Sequence, residues 1–139
     1  MIVLDTNVIS EIFKPQPDAQ VVAWLESLSG EVSITAVTLA EVLAGVHRLP
    51  EGKRRSMLDH QIDAALEPYR ETRAILPFDD VAAEQYADII VVREHMGLPI
   101  HTADAQIAAI CRAHGATCAT RNTSDFARTG VELVAPWGA

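Results

Sequence analysis

The chain opens Met1-Ile2-Val3-Leu4-Asp5-Thr6-Asn7, an apolar run that stops at a carboxylate. No other stretch constrains the fold so tightly. Apolar residues without alternation suit a strand at the centre of a parallel sheet, where helices cover both faces. Asp5 then lies at the carboxyl end of that strand, the edge at which open α/β sheets bind ligands. Taken alone, Asp5 would serve equally well as the cap of a helix beginning near Asn7. The two readings separate only if other carboxylates converge on the same edge.

Beyond Asn7, helical and strand patterns alternate. Val8 to Phe13 is a short helix or turn, interrupted by Lys14-Pro15-Gln16-Pro17. Asp18 opens a helix in which Val21, Val22, Leu25 and Leu28 recur at helical spacing, and Gly30 stops it. Val32-Ser33-Ile34-Thr35 alternates as a short strand does. Further helices are expected over 38–49, over 52–69 and from Asp79 and Asp80 to His95. Further strands are expected over 74–76, 116–120 and 131–134. A last helix starts at Thr102-Ala103-Asp104 with Thr102 as its cap, and Gly115 ends it after His114. This alternation predicts an α/β domain with a parallel sheet between helices. No repeat, low-complexity segment or linker divides residues 1–139, so the chain reads as one domain.

Under that topology Asp5, Glu41, Asp104 and Asp125 all fall just beyond strands or in first helical turns at one edge. Each also has a local explanation. Thr38-Leu39-Ala40-Glu41 fits a capping box, in which the threonine and glutamate side chains satisfy each other's free backbone N–H groups. Asp104 is a first-turn acid, favoured by the helix dipole. Asp125 belongs to Asn122-Thr123-Ser124-Asp125, whose residues all suit a turn or cap. What raises Asp104 is its small apolar neighbours, which keep it close to the sheet. Asp79, Asp80, Glu84 and Asp88 read as helix-start or surface acids.

Four carboxylates gathered together would repel, and some would take up protons. A hard divalent cation such as Mg²⁺ or Mn²⁺ resolves the conflict, because it prefers carboxylate and water oxygens and leaves positions open for phosphate. Zinc is disfavoured, since no histidine or cysteine pair stands at ligand spacing. Cys111 and Cys118 read as small buried apolar residues. The chemistry such a cluster supports is phosphodiester hydrolysis. No glycine-rich phosphate loop or serine nucleophile elbow offers a competing route. The net charge of −8 argues against indiscriminate nucleic-acid binding but permits local contacts. Lys53-Arg54-Arg55, the densest basic cluster, reads either as a solvated helix face or as a set of RNA-phosphate contacts. No secretion signal opens the sequence and no apolar run approaches the ~20 residues needed to span a bilayer. A cytoplasmic location away from the membrane is expected.

At these positions the chain resembles the PIN-domain ribonucleases, and more narrowly the VapC and FitB toxins of bacterial type II toxin–antitoxin pairs. The motifs that carry the resemblance are Ile2-Val3-Leu4-Asp5-Thr6-Asn7, Thr38-Leu39-Ala40-Glu41 with Gly45, Asp104-Ala105-Gln106-Ile107-Ala108-Ala109, and Ala119-Thr120-Arg121-Asn122 followed by Asp125-Phe126. It covers essentially the whole chain. It implies a three-layer α/β/α fold with a central, mainly parallel sheet, and a metal-dependent endoribonuclease that is usually a homodimer and is silenced by a cognate antitoxin. Asp5 and Asp104 would be the principal metal ligands, with Glu41 and Asp125 completing the acidic site directly or through water. Asn7 and Asn122 would orient them. An arginine from a basic antitoxin could block such a pocket by pairing with its carboxylates.

Other readings differ at particular residues. A catalytically silent PIN-like module would bind RNA or protein without needing all four acids. A phospho-acceptor receiver domain wants an acidic pair after the first strand and a late lysine, whereas the last lysine here is Lys53. A haloacid-dehalogenase-like phosphatase with Asp5 as nucleophile wants an aspartate where Asn7 stands.

Overall fold

Val3 and Leu4 are adjacent, both are sealed from solvent, and they belong to different cores. Successive residues of a strand point to opposite faces, so the first strand must be covered on both sides. The computed structural model, which describes residues 1–138, is built around that requirement. The elements are β1 (Ile2–Leu4), α1 (Thr6–Ile12), α2 (Ala19–Ser27), β2 (Val32–Thr35), α3 (Ala36–His47), α4 (Lys53–Glu71), β3 (Ile75–Leu76), α5 (Asp80–His95), α6 (Thr102–His114), β4 (Thr117–Ala119), a 3₁₀ turn (Thr123–Phe126) and β5 (Leu133–Val134).

The strands form one sheet in the order β3-β2-β1-β4-β5, and each neighbouring pair is parallel. On one face Val3, Leu76 and Cys118 pack with Ile89 of α5 and with Ile107, Ile110 and Cys111 of α6. On the other, Leu4, Ile34 and Ala119 pack with side chains of α1 to α4, among them Val8, Val21, Val42, Val46, Ile62 and Leu66. The layers are therefore α/β/α. Burying each such aliphatic side chain contributes about 1.5–3 kcal/mol. Cys111 and Cys118 are free, buried members of the first core. The Cys111 thiol beside Cys118, together with burial, pushes the Cys118 thiol up, so it stays protonated.

The topology fixes where chemistry can sit. From β1 the chain steps outward through β2 and β3, then returns to the other side of β1 for β4 and β5. The strand order therefore reverses between β1 and β4, which opens a crevice beyond their carboxyl ends. Leu4 pairs with Ala119, so Asp5 and Thr120 are the next residues on the two strands that flank this switch point. α6 ends where β4 begins, at the amino edge, so its first turn lies at the opposite, carboxyl edge.

Two helix starts differ from the sequence expectation. α3 begins at Ala36, and its cap is Thr35, whose Oγ1 accepts from the N–H of Thr38 at 3.0 Å. Strand β2 runs directly into the helix, so its last residue becomes the cap, and the Thr38–Glu41 capping box does not form. Glu41 is released for other contacts. α6 begins at Thr102 with His101 as its cap, because the His101 carbonyl already accepts from the N–H of Ala105 at 2.9 Å. Thr102 is thus inside the first turn. The third strand is shorter than expected, at two residues, as is the last.

Gly115 closes α6 at φ 61°, in the left-handed region. A Cβ there meets nothing within 4 Å, so substitution tests conformation without a clash. Gly115→Ala is expected to lower stability by about 1 kcal/mol, as measured by urea unfolding, with an unchanged m-value.

Candidate active site

Asp5 is only 5% exposed, and both of its carboxylate oxygens are held. The N–H of Thr6 donates to Oδ1 at 2.8 Å and the Thr120 hydroxyl donates to Oδ2 at 2.8 Å. Asp5 is therefore the cap of α1 and a fixed group of the crevice at once. Thr120 is fully buried, and its hydroxyl oxygen accepts from the N–H of Asn122 at 3.1 Å and from Nδ2 of Asn7 at 3.4 Å. Oδ1 of Asn7 in turn accepts from the N–H of Arg121 at 3.2 Å. Asn7 thus ties the end of β1 to the end of β4, while Asn122 takes part through its backbone.

Glu41 lies on the exposed side of α3 and its Oε1 accepts from the Thr6 hydroxyl at 2.7 Å. With that proton committed, the contact of 3.0 Å between the Thr6 and Thr38 hydroxyls has Thr38 as donor. Asp104 is half-buried in the first turn of α6. Burial pushes its carboxyl up to about 6, repulsion from Asp5, Asp125 and Glu41 adds to the effect, and His101 opposes it. The Asp5 carboxyl is raised too, by burial first and by Glu41 and Asp125, against the lowering hydrogen bonds from Thr120 and Thr6. Asp5 and Asp104 therefore both feel the charges of Glu41 and Asp125 across the crevice, although Asp125 is itself exposed on the 3₁₀ turn.

That turn is anchored by a residue the sequence did not advertise. Arg93 is 5% exposed, and its guanidinium donates to the carbonyls of Leu98 at 2.7 Å, of Asp125 at 3.3 Å and of Ala127. A buried cation held by carbonyls alone cross-links the end of α5 to the segment bearing Asp125. Only an arginine, with five donors in a rigid fork, can reach carbonyls on two loops together.

Comparison with known proteins decides the family. A model of the PIN domain matches residues 2–132. The chain belongs to the PIN-domain family. It is 44% identical over 138 residues to the toxin FitB of Neisseria gonorrhoeae, covering 99% of both proteins. It is 41% identical over 138 residues to the VapC ribonuclease Y4jK of Sinorhizobium fredii, covering 99% of this chain and 98% of that protein. The crystal structure of FitAcB from Neisseria gonorrhoeae superposes with a TM-score of 0.93 at 41% identity, covering all of both chains.

As a PIN domain, the chain presents an oxygen-only donor set. Among the described residues no three carboxylate, histidine or cysteine side chains stand close enough together to hold a metal ion between them. The donor chemistry nevertheless fits a hard cation. Two carboxyls are raised by burial and mutual repulsion, and none of the four acids pairs with a lysine or arginine among the described residues. Mg²⁺ in particular uses one or two carboxylates and keeps several waters, so Asp5 and Asp104 could hold it with Glu41 and Asp125 acting through water.

The basic cluster divides. Arg55 turns its guanidinium towards the Leu49 carbonyl at 3.5 Å and Lys53 is exposed, whereas Arg54 lines a groove that also contains Glu41. A different cavity, of about 730 Å³, opens around Met1, Gly30 and Tyr69 at the amino edge of the sheet; Glu31 is its one carboxylate. Sequence reasoning missed Arg93 and the roles of Thr6 and Thr120. The signal for Thr120 is that it directly follows the short strand 117–119 at the carboxyl edge, where its hydroxyl meets the end of the neighbouring strand; Thr6 stands one residue past Asp5, and its hydroxyl reaches α3 instead.

The raised Asp104 carboxyl makes a linkage prediction. The folded protein holds this proton more tightly than the unfolded chain, so without metal stability falls as pH rises from about 4 to about 6. Asp104→Asn removes that loss. At pH 7 the variant should be more stable by about 1 kcal/mol, once screening of a half-exposed group is allowed for. Thermal unfolding at pH 4 and pH 7 in EDTA checks this; equal stabilities of parent and variant at pH 7 would count against it.

Proposed function

We propose that this PIN domain is a divalent-metal-dependent endoribonuclease, the toxin of a type II toxin–antitoxin pair, which acts in the cytoplasm as a homodimer and is silenced by a cognate antitoxin. The single observation that carries the reading is the electrostatically coupled set Asp5, Glu41, Asp104 and Asp125 at the switch point of the sheet. The names of its full-length relatives, a VapC ribonuclease and a toxin, support the same activity. The exposed apolar side chains Val81, Val92 and Met96, at helical spacing along α5 and just beyond it, support the dimer.

In this reading Asp5 and Asp104 hold Mg²⁺ or Mn²⁺, and Glu41 and Asp125 complete the acidic wall. When bound, the cation polarises the phosphoryl oxygen and lowers the pKa of water, which supplies the nucleophile at neutral pH. The chain's own groups do the positioning. The Thr6 N–H and the Thr120 hydroxyl each donate to one Asp5 oxygen and so fix the carboxylate. Thr6 also fixes Glu41 through its hydroxyl, so one residue sets the spacing between two acids. Asn7 holds the Thr120 hydroxyl and the Arg121 N–H against α1. Asp104, with its carboxyl near 6 in the absence of cation, is already mostly ionised at neutral pH, and metal binding would keep it ionised down to lower pH. Of the basic residues proposed for RNA phosphates, Arg54 has the supporting position, while Lys53 and Arg55 retain only a secondary role.

The test is cleavage of a mixed RNA pool by antitoxin-free protein with Mg²⁺ or Mn²⁺, beside EDTA and Asp5→Asn and Asp104→Asn controls. Cuts that require metal and fall more than about a hundredfold in both variants are expected, since removing even a partner behind a metal ligand costs about 10–100-fold. Thr120→Val should fall within that smaller range. No cutting by folded, metal-binding protein would instead favour a silent PIN-like binding module.

A further inference from the structure

The crevice is rich in groups that accept protons and poor in groups that can give one. Phosphodiester hydrolysis uses both, because the ribose oxygen that leaves phosphorus is strongly basic and departs more readily with a proton than as an alkoxide. Asp5 and Asp104 are assigned to the cation and so act ionised. The Thr6 and Thr120 hydroxyls are committed to Glu41 at 2.7 Å and to Asp5 at 2.8 Å. Arg93 is buried on carbonyls, and an arginine does not give up its proton in a protein. His101 is different. It stands immediately before α6, three residues ahead of Asp104, and its carbonyl accepts from the N–H of Ala105 at 2.9 Å while its side chain makes no capping bond. The imidazole is exposed and pairs with no carboxylate among the described residues. At a helix start the cap and the third helical residue lie side by side, so His101 flanks Asp104, which responds to its charge. The charged groups around this corner are Asp104 on α6, Asp5 after β1, Glu41 on α3 and Asp125 on the 3₁₀ turn. Histidine is the side chain suited to exchange a proton near neutral pH.

We propose that His101 is a catalytic residue of this nuclease, the acid that protonates the leaving ribose oxygen. The inference rests on the nuclease reading and adds to it a residue outside the four acids. Placement supports the role. Asp104 and His101 come from the helix layer on one face of the sheet, whereas Glu41 comes from α3, whose buried side chains pack on the other. An in-line displacement needs the attacking and leaving oxygens on opposite sides of phosphorus. A substrate lying across the crevice meets that need with the attacking water towards the Glu41 rim and the leaving oxygen towards the His101 rim. Water forms the new bond to phosphorus and gives a proton to solvent. The bond from phosphorus to the ribose oxygen breaks, and that oxygen takes the proton of the imidazolium. The exposed imidazole then regains a proton from solvent, so the cycle closes with one water consumed.

The test uses antitoxin-free protein with Mn²⁺ and an RNA carrying one cut site. The product ends identify which ribose oxygen leaves. The same RNA is then made with sulfur in place of that oxygen, since a thiolate leaves without a proton. His101→Gln should lower kcat on ordinary RNA by about 10²–10⁴-fold, the usual contribution of a positioned acid, with KM little changed. It should cut the sulfur-containing RNA nearly as well as the parent. His101→Arg keeps a positive charge that cannot be donated and should be as slow as His101→Gln. Two readouts do not depend on turnover. Mg²⁺ affinity by calorimetry should be the same in His101→Gln and parent. In Mg²⁺-loaded parent the His101 imidazole resonance, assigned by its loss in His101→Gln, should move when a 2′-O-methyl oligonucleotide, confirmed intact afterwards, is bound; that of His114, at the far end of α6, should not. The proposal is overturned if His101→Gln cuts ordinary RNA like the parent, if it loses both substrates equally, if His101→Arg restores cleavage, or if bound oligonucleotide leaves the imidazole unmoved. In each of those cases parental cleavage keeps the nuclease reading. A parent that cuts no RNA with metal bound overturns both.

Discussion

The structure depends on a repulsion it does not relieve. Asp5, Glu41, Asp104 and Asp125 face one crevice without a lysine or arginine among their ion-pair partners in the described residues, although the chain readily makes such pairs elsewhere. Glu11 pairs with Lys14, Asp63 with Arg70 and Asp88 with Arg112. At the crevice, neutral donors take the place of cations: a backbone N–H and a hydroxyl on Asp5, a hydroxyl on Glu41. Such donors fix the position of a carboxylate without cancelling its charge. An arginine would have neutralised the site and closed it to any cation.

The rest of the fold makes that arrangement tolerable. Two sealed hydrophobic cores, one on each face of the sheet, supply stability that the crevice does not. The switch between β1 and β4 places Asp5 and Thr120 side by side without strain, because it is where strand order must reverse. Local stability is given up at the crevice, where like charges are held together, a trade that proteins make commonly at their sites. Arg93 performs the same service for the flank of the crevice, holding the Asp125 segment by its backbone and leaving the carboxylate free.

Much of this was legible from the order of residues. The uniform apolar run before Asp5 predicted a central strand, and the structure places it at the middle of the sheet. Gly115 and the alanine-rich face of α6 predicted a helix packed tightly on the sheet, and α6 contributes an unbroken run of buried residues from Ile107 to Cys111. The helix starts were less legible. Thr35, Thr38 and Thr102 are all competent caps in isolation, and the choice between them depends on where the preceding strand or loop releases the backbone, which is a tertiary matter. Arg93 was hidden for a related reason: its partners are carbonyls of Leu98, Pro99, Asp125 and Ala127, and no sequence pattern marks a carbonyl as needing a donor. The basic run 53–55 illustrates a limit of charge patterns, since three adjacent helix positions face three directions and only Arg54 reaches the groove with Glu41.

The central claim is that four carboxylates form one coupled site suited to a cation. The most direct measurement is the titration of the Asp104 carboxyl by nuclear magnetic resonance in metal-free protein and again with saturating Mg²⁺. The account predicts a midpoint near 6 without metal, falling well into the usual carboxylate range or below when Mg²⁺ is present, and falling partway in Asp5→Asn even without it. An Asp104 that titrates like an isolated aspartate and ignores both Mg²⁺ and the loss of the Asp5 charge would contradict it.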